Sequence, residues 1–248
     1  MTAFARLAPD GKRPAHEWLA EVDPRGRAPA GRPFLFLNMV ASADGRASLG
    51  GHTSPLGSPA DTLLLTELRA LSDAVLIGTG TLRAEGYGRL VSHPDRVARR
   101  AAAGLPETPP AVVITRSLDV PWEAGLFAAP DQPVLVYTAA ETAEPPALAA
   151  PVELVRLPDV SPPAVLADLR RRGVRALLCE GGPILNRALL ACGAVDELFL
   201  TLAPLLAGNA VAPRIVEGGG LAAPIRLELA WALSHDDELY LRYRIVHD

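Results

Sequence analysis

The chain has 248 residues, of which 49% are hydrophobic and 21% are charged, and its formal net charge at pH 7 is −4. These fractions are typical of a globular protein with a sizeable core, and the length allows one large domain or two small ones. The slight negative charge excludes the basic face that nucleic-acid binding requires, so we expect no nucleic-acid partner.

Lysine and cysteine usage narrows the possible chemistry. Lys12 is the only lysine, so the folded body has no lysine for Schiff-base chemistry. Cys179 and Cys192 are the only cysteines, and their spacing fits no zinc or redox motif. We therefore expect no metal site and two small core side chains in a reducing, cytoplasmic compartment. No stretch reaches the roughly 18 apolar residues of a membrane span, so no membrane association is expected.

The first half of the chain predicts two strands, one long helix and two irregular segments. Residues 1–32 combine Pro, Gly and Arg with little periodicity and are for the most part interpreted as a loosely attached N-terminal arm, with Trp18 and Leu19 as candidates for docking it. Apolar runs predict strands at Pro33–Ala41 and Ala74–Ile77. Ser58 is a typical N-cap, followed by Pro59, for a helix that ends at Leu71. Residues 91–110 are polar, basic and proline-rich and are interpreted as a surface excursion with one or two helical turns.

The second half predicts seven further strands and a C-terminal hairpin. Short strands are predicted at Ala111–Thr115, Val134–Tyr137, Val152–Leu157 and Arg175–Cys179. A capped helix Ser161–Arg172 joins the last two of these, and such a βαβ unit places its strands in parallel. The remaining strands are Asp196–Leu202, Ile225–Leu233 and Leu239–Val246, and the turn at 234–237 predicts an antiparallel edge. We expect an α/β fold with a mostly parallel central sheet, and a single domain over residues 33–248.

The segment Leu177–Asn186 has the clearest functional signal. A buried strand ends at Cys179, Glu180 follows it, and Gly181 and Gly182 let the backbone turn and approach a ligand without side chains in the way. Pro183 suits the first position of a new helix, whose free N–H groups favour a phosphate or pyrophosphate. Glu180 would lie where open α/β sheets place their ligand crevice. The plainer alternative is a strand-to-helix turn with an exposed glutamate.

Two more loops follow predicted strands. Gly78-Thr79-Gly80-Thr81 begins like a dinucleotide fingerprint, but it has neither the third glycine nor the acidic residue at the required distance. It remains a small-residue loop suited to backbone contact with a cofactor. Arg116 lies between the hydroxyls of Thr115 and Ser117, and a guanidinium binds phosphate in a bidentate fork. The alternative for Arg116 is an ordinary solvated arginine.

Four separated motifs together resemble a known family. They are Ala41–Gly45, the Gly-Thr-Gly-Thr-Leu-Arg-Ala-Glu segment at 78–85, Glu180–Pro183 and Val195–Pro204. In this order they resemble the reductase domain of the riboflavin-pathway bifunctional deaminase–reductase and its stand-alone relatives. The resemblance covers residues 33–246 and implies a dihydrofolate-reductase-like, three-layer α/β/α fold.

The resemblance implies an NADPH-dependent reductase with a two-sided site. The implied cofactor residues are Ala41, Pro55, Gly78, Gly80, Thr81, Glu85, Gly181, Gly182, Pro183, Ile184 and Leu185, with Arg116 or Ser117 near the adenosine phosphate. The implied substrate residues are Thr53, Arg69, Arg89 and Glu180. The implied reaction reduces C1′ of a ribosylamino-pyrimidine phosphate, namely 5-amino-6-(5-phosphoribosylamino)uracil or its diamino precursor. The resemblance also implies a homodimer, for which strand Leu198–Leu202 and the apolar residues 203–206 offer surface.

The chain departs from the family at residues 84–89. Pathway reductases have an Ala-Asp-Asn/Asp-Pro segment that leads to a downstream arginine for the substrate phosphate. Here the stretch is Ala-Glu-Gly-Tyr-Gly-Arg, and Ser92 stands about where that arginine would be. This resembles a stand-alone subgroup of pyrimidine reductases.

The implied reaction needs a proton, and the catalytic candidates are the strand-end carboxylates Asp44 and Glu180. Burial could hold one of them protonated by desolvation. Asp44-Gly45 is also an ordinary turn pair, and water is the alternative proton donor. Two other functions remain open: a dihydrofolate or pteridine reductase on the same fold, and a nucleotide-binding module without turnover.

Overall fold

Nine strands form the centre of the computed structural model, which describes residues 11–208 and 211–247. In chain order they are β1 Phe34–Ser42, β2 Ala74–Leu76, β3 Ala111–Thr115, β4 Val134–Thr138, β5 Val152–Arg156, β6 Ala176–Cys179, β7 Glu197–Ala203, β8 Leu227–His235 and β9 Glu238–Ile245. All nine occur where the sequence predicts strands.

The sheet has the order β5-β4-β3-β2-β6-β1-β7-β9-β8. Neighbouring strands from β5 to β7 pair in parallel, whereas β9 is antiparallel to both β7 and β8. The predicted mostly parallel sheet with an antiparallel C-terminal hairpin is confirmed.

Seven helices join these strands. They are α1 Ala15–Ala20, α2 Pro59–Leu71, α3 Thr79–Ala84, α4 Pro94–Ala102, α5 Gly125–Ala128, α6 Pro162–Arg171 and α7 Pro183–Ala191 within the described residues. None of these helices is long and apolar enough to cross a bilayer.

Two apolar cores lie on opposite faces of the sheet. Along β1, Phe34 and Phe36 belong to one core, and Leu35 and Leu37 belong to the other, because successive strand side chains point to opposite faces. Helix α2 contributes to the first core, and helices α6 and α7 contribute to the second. A parallel sheet needs cover on both faces, and the expected three-layer α/β/α arrangement is confirmed.

Of the two predicted helix N-caps, Ser58 is confirmed and Ser161 is not. The Ser58 side chain accepts hydrogen bonds from the backbone N–H groups of Ala60 and Asp61, as predicted for α2. The Ser161 side chain does not cap α6. Its hydroxyl donates to Asp159 instead, because that carboxylate lies two residues upstream and also accepts the Ser161 N–H.

The described part of the N-terminal arm is firmly packed, so the interpretation of most of it as loosely attached is wrong, whereas Leu19 docks it as the sequence suggested. Leu19 and Val22 are 2% and 0% exposed and belong to the first core. Arg27 donates to Glu197 at 2.6 Å, so an ion pair also ties this segment to β7. Residues 1–10 lie outside the described residues, and the division of the chain at residue 33 stays a prediction.

The segment 91–110 is not a simple surface excursion either. Its helix α4 packs on α2, and Arg100 is 1% exposed. The Arg100 guanidinium donates to the carbonyls of Arg69, Ala70 and Ser72 at the end of α2. Carbonyls at the end of a helix lack the usual partner one turn further on, so they draw the arginine into the interior, and the Arg69 carbonyl also accepts the Ser72 N–H.

The two cysteines differ in environment. Cys179 is buried in β6 as expected, and this burial raises the pKa of its thiol to about 12. Cys192 is exposed, so its prediction as a core residue is wrong. It follows the last residue of α7, where the chain turns toward solvent.

Candidate active site

A cleft of about 590 Å³ opens at the carboxyl ends of the parallel strands. Its walls come from the loops that follow β1, β2, β3 and β6, which are neighbours or near neighbours in the sheet. This edge is where open α/β sheets bind ligands. The predicted site residues that line the cleft are Thr53, Gly78, Gly80, Thr81, Glu85, Arg116, Glu180, Gly182, Pro183, Ile184 and Leu185.

The two glycine loops touch each other through their backbones in this cleft. The Gly78 N–H donates to the Gly181 carbonyl at 2.7 Å, and the peptide bond between Gly181 and Gly182 is cis. A Cβ atom on Gly78 would lie 2.9 Å from the Gly182 nitrogen. A Cβ atom on Gly182 would lie 3.0 Å from Thr81 Oγ1. The glycines are therefore needed to bring the end of β2 against the end of β6.

Helix α7 begins at this contact with its N-terminus directed toward the cleft. Gly182 is its N-cap residue, Pro183 is its first residue, and no side chain caps it. Ile184 and Leu185 of the first turn line the cleft, so the N-terminal end of α7 faces the ligand space. Uncapped N–H groups and the positive end of the helix dipole suit a phosphate group.

Arg116 lies at one end of the cleft. It follows β3, and β2 is the one strand that lies between β3 and β6 in the sheet. At the usual strand spacing, β3 is therefore roughly 10 Å from β6. Its side chain lines the cleft in an exposed position. Neighbouring Ser117 is exposed and outside the lining, so the structure brings only Arg116 to the ligand space.

Glu180 is held by an arginine and a tyrosine from distant parts of the chain. Arg69 Nε and Nη2 donate to its two carboxylate oxygens at 2.6 and 2.7 Å. The Tyr87 hydroxyl donates to Oε2 at 2.8 Å. Burial, and next the negative charge of Glu180, raise the pKa of Tyr87 well above its ordinary value, so this hydroxyl remains a donor.

This arrangement changes the roles that the resemblance implies for Arg69 and Glu180. Arg69 lies behind Glu180 and does not line the cleft. Glu180 lines it, although only 4% of its side chain is exposed. Each carboxylate oxygen can accept two hydrogen bonds, so Oε1 has capacity for one more donor. Glu180 can thus bind one ligand N–H while it remains fixed from behind.

Glu85 and Thr53 are joined directly, although the resemblance maps them to different ligands. The Thr53 N–H donates to Glu85 Oε1 at 2.7 Å. Next to them, His52 Nδ1 lies 2.7 Å from the Ala84 carbonyl oxygen. These contacts pin the loop after β1 to the end of α3, and Glu85 is a second carboxylate that lines the cleft together with Glu180.

Asp44 does not have the environment expected of a buried acid. It is exposed and outside the cleft lining. The Ser42 hydroxyl and the backbone N–H groups of Ala207 and Gly208 all donate to its carboxylate. These hydrogen bonds lower the pKa of Asp44 to about 2. The hypothesis that desolvation keeps Asp44 protonated is wrong, because the group binds a neighbouring loop as an anion.

Other predicted residues lie close to the cleft without lining it. Ala41 is buried inside β1, and Pro55 is exposed beyond the cleft edge. Gly181 contributes its carbonyl to the contact between the loops but does not line the cleft. Arg89 is paired with Asp131 at 2.7 Å and with Glu107 at 3.1 Å, so the structure does not bring it to the ligand space.

The sequence analysis missed Tyr87 and did not predict the structural role of Asn186, which ends the segment Leu177–Asn186. An aromatic residue between Gly86 and Gly88 in a motif loop was an available signal for Tyr87. Asn186 is fully buried in α7 and donates to the Ile215 carbonyl at 2.8 Å. A polar residue on the apolar side of a short helix could have indicated such a contact. Both residues stabilise the cleft walls from behind.

Comparisons with known proteins agree with this geometry. A family model described as the RibD C-terminal domain matches residues 33–240. The 2,5-diamino-6-ribosylamino-4(3H)-pyrimidinone 5′-phosphate reductase of Methanothermobacter thermautotrophicus is 28% identical over 222 residues, which cover 86% of this chain and 99% of that protein. The riboflavin biosynthesis protein RibD of Mycobacterium tuberculosis is 30% identical over 199 residues, covering 80% of this chain and 48% of that protein. A solved pyrimidine reductase-like protein from Corynebacterium diphtheriae superposes with a TM-score of 0.74 at 25% identity, covering 94% of this chain and 99% of that one.

Proposed function

This chain belongs to the RibD C-terminal domain family, and from that premise we propose that it is an NADPH-dependent reductase of a ribosylamino-pyrimidine in riboflavin biosynthesis. The proposed substrates are 5-amino-6-(5-phosphoribosylamino)uracil and its diamino precursor. The observation that carries the proposal is the backbone contact between Gly78 and Gly181 at the start of α7, directly beside the anchored carboxylate of Glu180. It joins a surface suited to a dinucleotide with a group suited to a heterocyclic ring.

The residues of the cleft fit a dinucleotide cofactor. The glycine loops form a cradle that a side chain at Gly78 or Gly182 would fill. The uncapped start of α7 offers N–H groups to a pyrophosphate. Arg116, at the other end of the cleft, would bind a 2′-phosphate. When bound, NADPH supplies the hydride for the reduction.

The protein's own contribution is to bind and orient the pyrimidine. Glu180 Oε1 accepts a hydrogen bond from a ring or amino N–H while Arg69 and Tyr87 keep the carboxylate in place. In the ring-opened form of the sugar, C1′ accepts a hydride and the adjacent nitrogen accepts a proton. The Glu180 carboxylate already accepts three hydrogen bonds from Arg69 and Tyr87, so its role in the site is that of an acceptor. We therefore propose water in the open cleft as the immediate proton donor.

The choice of NADPH over NADH is tested at Arg116. Arg116→Ala should weaken NADPH binding by about 1–3 kcal/mol, because a charge-assisted contact to the 2′-phosphate is lost. NADH binding should barely change. The measurement is a fluorescence titration of each cofactor. Arg156→Ala is the matched control, because Arg156 ends β5 and pairs with Glu144 outside the cleft.

Equal losses for both cofactors would place Arg116 outside the 2′-phosphate site.

Turnover is tested by NADPH oxidation with the ribosylamino-pyrimidine phosphate and, in parallel, with dihydrofolate. Reduction of dihydrofolate alone would favour the pteridine reductase. NADPH binding without oxidation of either substrate would favour a nucleotide-binding module.

We further propose a cytoplasmic homodimer. Within the stretch that the sequence offers for the interface, Leu198 and Phe199 of β7 are buried, whereas Leu206 is 78% exposed. Leu227 and Leu229 on the edge strand β8, each 40% exposed, add further apolar surface. Light scattering at micromolar concentration should yield about twice the chain mass of 26.1 kDa. A mass of one chain would contradict the dimer.

A further inference from the structure

Two loops form the end of the cleft around Arg116. Ile114 is the next-to-last residue of β3 and Arg116 follows that strand, whereas Val160 and Pro162 come after β5, at the start of α6. Strand β4 lies between β3 and β5 and pairs in parallel with both, so the two loops emerge at the same edge of the sheet. Val160 is 6% exposed and packs in the second core, which holds its loop against the sheet. We call these four residues the Arg116 end of the cleft.

A carboxylate lies at the rim of the Arg116 end. Asp159 is exposed and directly precedes Val160, which lines the cleft. The Ser161 N–H and hydroxyl donate to the two oxygens of Asp159 at 2.8 and 2.6 Å. These hydrogen bonds, and after them the positive charge of Arg116, lower the pKa of Asp159. Asp159 is therefore an anion at neutral pH, within electrostatic reach of the guanidinium.

Asp159 and Arg116 interact without direct contact. Within the part of the chain that the structure describes, no hydrogen bond or ion pair holds the Arg116 guanidinium, because Ser161 keeps the carboxylate on its own loop. Each carboxylate oxygen can accept two hydrogen bonds, so both oxygens of Asp159 can accept one more. The guanidinium is thus free to meet a ligand anion, and the carboxylate is free to meet a ligand hydroxyl.

These two groups have opposite preferences in a dinucleotide site. An acidic side chain accepts the ribose 2′-hydroxyl of NADH, whereas an arginine accommodates the 2′-phosphate of NADPH. We propose that Asp159 is a specificity-determining residue that opposes the preference for NADPH created by Arg116. This inference rests on the proposed function and concerns its cofactor.

The physical basis is the charge of the 2′-phosphate. A phosphate monoester carries about −1.5 to −2 at pH 7, so Arg116 attracts it and Asp159 repels it. The 2′-hydroxyl of NADH is neutral and can donate to Asp159. NADPH remains the better cofactor, but by a smaller margin than Arg116 alone would produce.

Asp159→Asn tests this assignment by fluorescence titration with NADPH and with NADH. The variant keeps oxygen and removes the charge, so the loop retains an acceptor for Ser161. We expect NADPH to bind on the order of tenfold more tightly to the variant, because a repulsion close to solvent is removed. NADH should bind no more tightly than to the wild type, so the ratio of the two Kd values shifts toward NADPH.

The salt dependence of NADPH binding is a second readout that a structural effect of the substitution would not change. In the wild type, Asp159 offsets part of the attraction between Arg116 and the phosphate. In Asp159→Asn this attraction is no longer offset. Raising the ionic strength should therefore weaken NADPH binding more steeply in the variant than in the wild type.

Asp237→Asn is the matched control. Asp237 is exposed in the turn between β8 and β9 and does not line the cleft. The substitution makes the same change in net charge far from the Arg116 end in the sheet order. It should leave both Kd values and their salt dependence unchanged.

The outcomes separate this inference from the proposed function. A Kd ratio that stays constant in Asp159→Asn, or that shifts toward NADH, would overturn the role of Asp159 and leave the proposed reductase intact. The same conclusion would follow if Asp237→Asn shifted the ratio equally. Failure of the wild-type chain to bind either cofactor would overturn the proposed function itself, and this inference with it.

Discussion

At the scale of single residues, the site depends on how Glu180 is held. Its two oxygens accept three hydrogen bonds, from Arg69 in α2 and from Tyr87 in the loop after α3. Hydrogen bonds to charged groups are stronger than neutral ones and position their partners closely. Glu180 therefore presents its remaining acceptor site in one direction, which is the property that a substrate anchor needs.

Tyr87→Phe tests this positioning role. The variant keeps the ring against Arg69 and removes the hydroxyl, so Glu180 should be held less firmly. We expect kcat/KM for the ribosylamino-pyrimidine to fall by about tenfold, because a hydrogen bond to a charged group contributes roughly 1.5–3 kcal/mol. NADPH affinity should remain close to that of the wild type. Steady-state kinetics and a cofactor titration measure the two effects.

The control for this variant is Tyr137→Phe. The Tyr137 hydroxyl donates to Asp168 at 2.8 Å, the same length as the bond between Tyr87 and Glu180, but outside the cleft. It should reduce the free energy of unfolding to a similar extent and leave kcat/KM unchanged. If both variants lost activity equally, the effect of Tyr87 would be structural only.

At the scale of elements, the start of α2 is joined to β9 by a buried polar cluster. Ser58 caps α2 and also donates its hydroxyl to Glu238, and the Tyr240 hydroxyl donates to the same carboxylate. Asp61, in the first turn of α2, is 9% exposed. Burial, together with the negative charge of Glu238, raises the pKa of Asp61. In this polar cluster, the ionised form of Asp61 is therefore less favourable in the folded protein than in the unfolded chain.

Asp61→Asn should stabilise the protein at neutral pH. A raised pKa means that the folded state favours the protonated form, so wild-type stability falls as pH rises above the ordinary value of 3.8. Asparagine has nearly the same shape and carries no charge, so the variant avoids this loss. Its advantage in thermal unfolding should therefore be present at pH 7 and shrink as pH approaches 4. A variant that is less stable than the wild type at pH 7 would contradict this reading.

Asp95→Asn provides the comparison. Asp95 lies in the first turn of α4 and is exposed. A carboxylate there interacts favourably with the helix dipole, so its loss should not stabilise the protein at pH 7.

At the scale of the whole molecule, the N-terminal segment is part of the first core. Leu19 and Val22 pack with Phe34, Leu64 and Leu68, which belong to β1 and α2. Because the segment covers one face of the sheet, its removal would expose apolar surface that the strands need to bury. The N-terminal segment thus belongs to the same folded unit as the strands that carry the cleft.

Leu19→Ala tests this packing. Removing a fully buried leucine side chain should lower the free energy of unfolding by about 2–5 kcal/mol, measured by denaturant unfolding. Leu63→Ala on α2 makes the same change at a side chain that is 46% exposed and should cost clearly less. Equal, small effects would show that the segment is only loosely attached after all.

The strands, most of the helices and the glycine loops could be predicted from the sequence because their causes are local. A short apolar run such as Ala111–Thr115 favours a buried strand whatever its position in the sheet order. Ser58-Pro59 starts a helix and Gly181-Gly182-Pro183 makes a strand-to-helix turn through their own backbone preferences. The family resemblance rests on the same local motifs, and the match over residues 33–240 confirms it.

The partners of the charged residues were decided only by the tertiary structure. Arg69 and Tyr87 are 111 and 93 residues from Glu180 in sequence. They meet it because β6 lies between β1 and β2 in the sheet, an order that no local pattern specifies. For the same reason Arg89 is bound to Asp131 and Asp44 holds the 207–208 loop. Local chemistry determines which element forms, whereas the strand order determines which distant charges meet and what the cleft can bind.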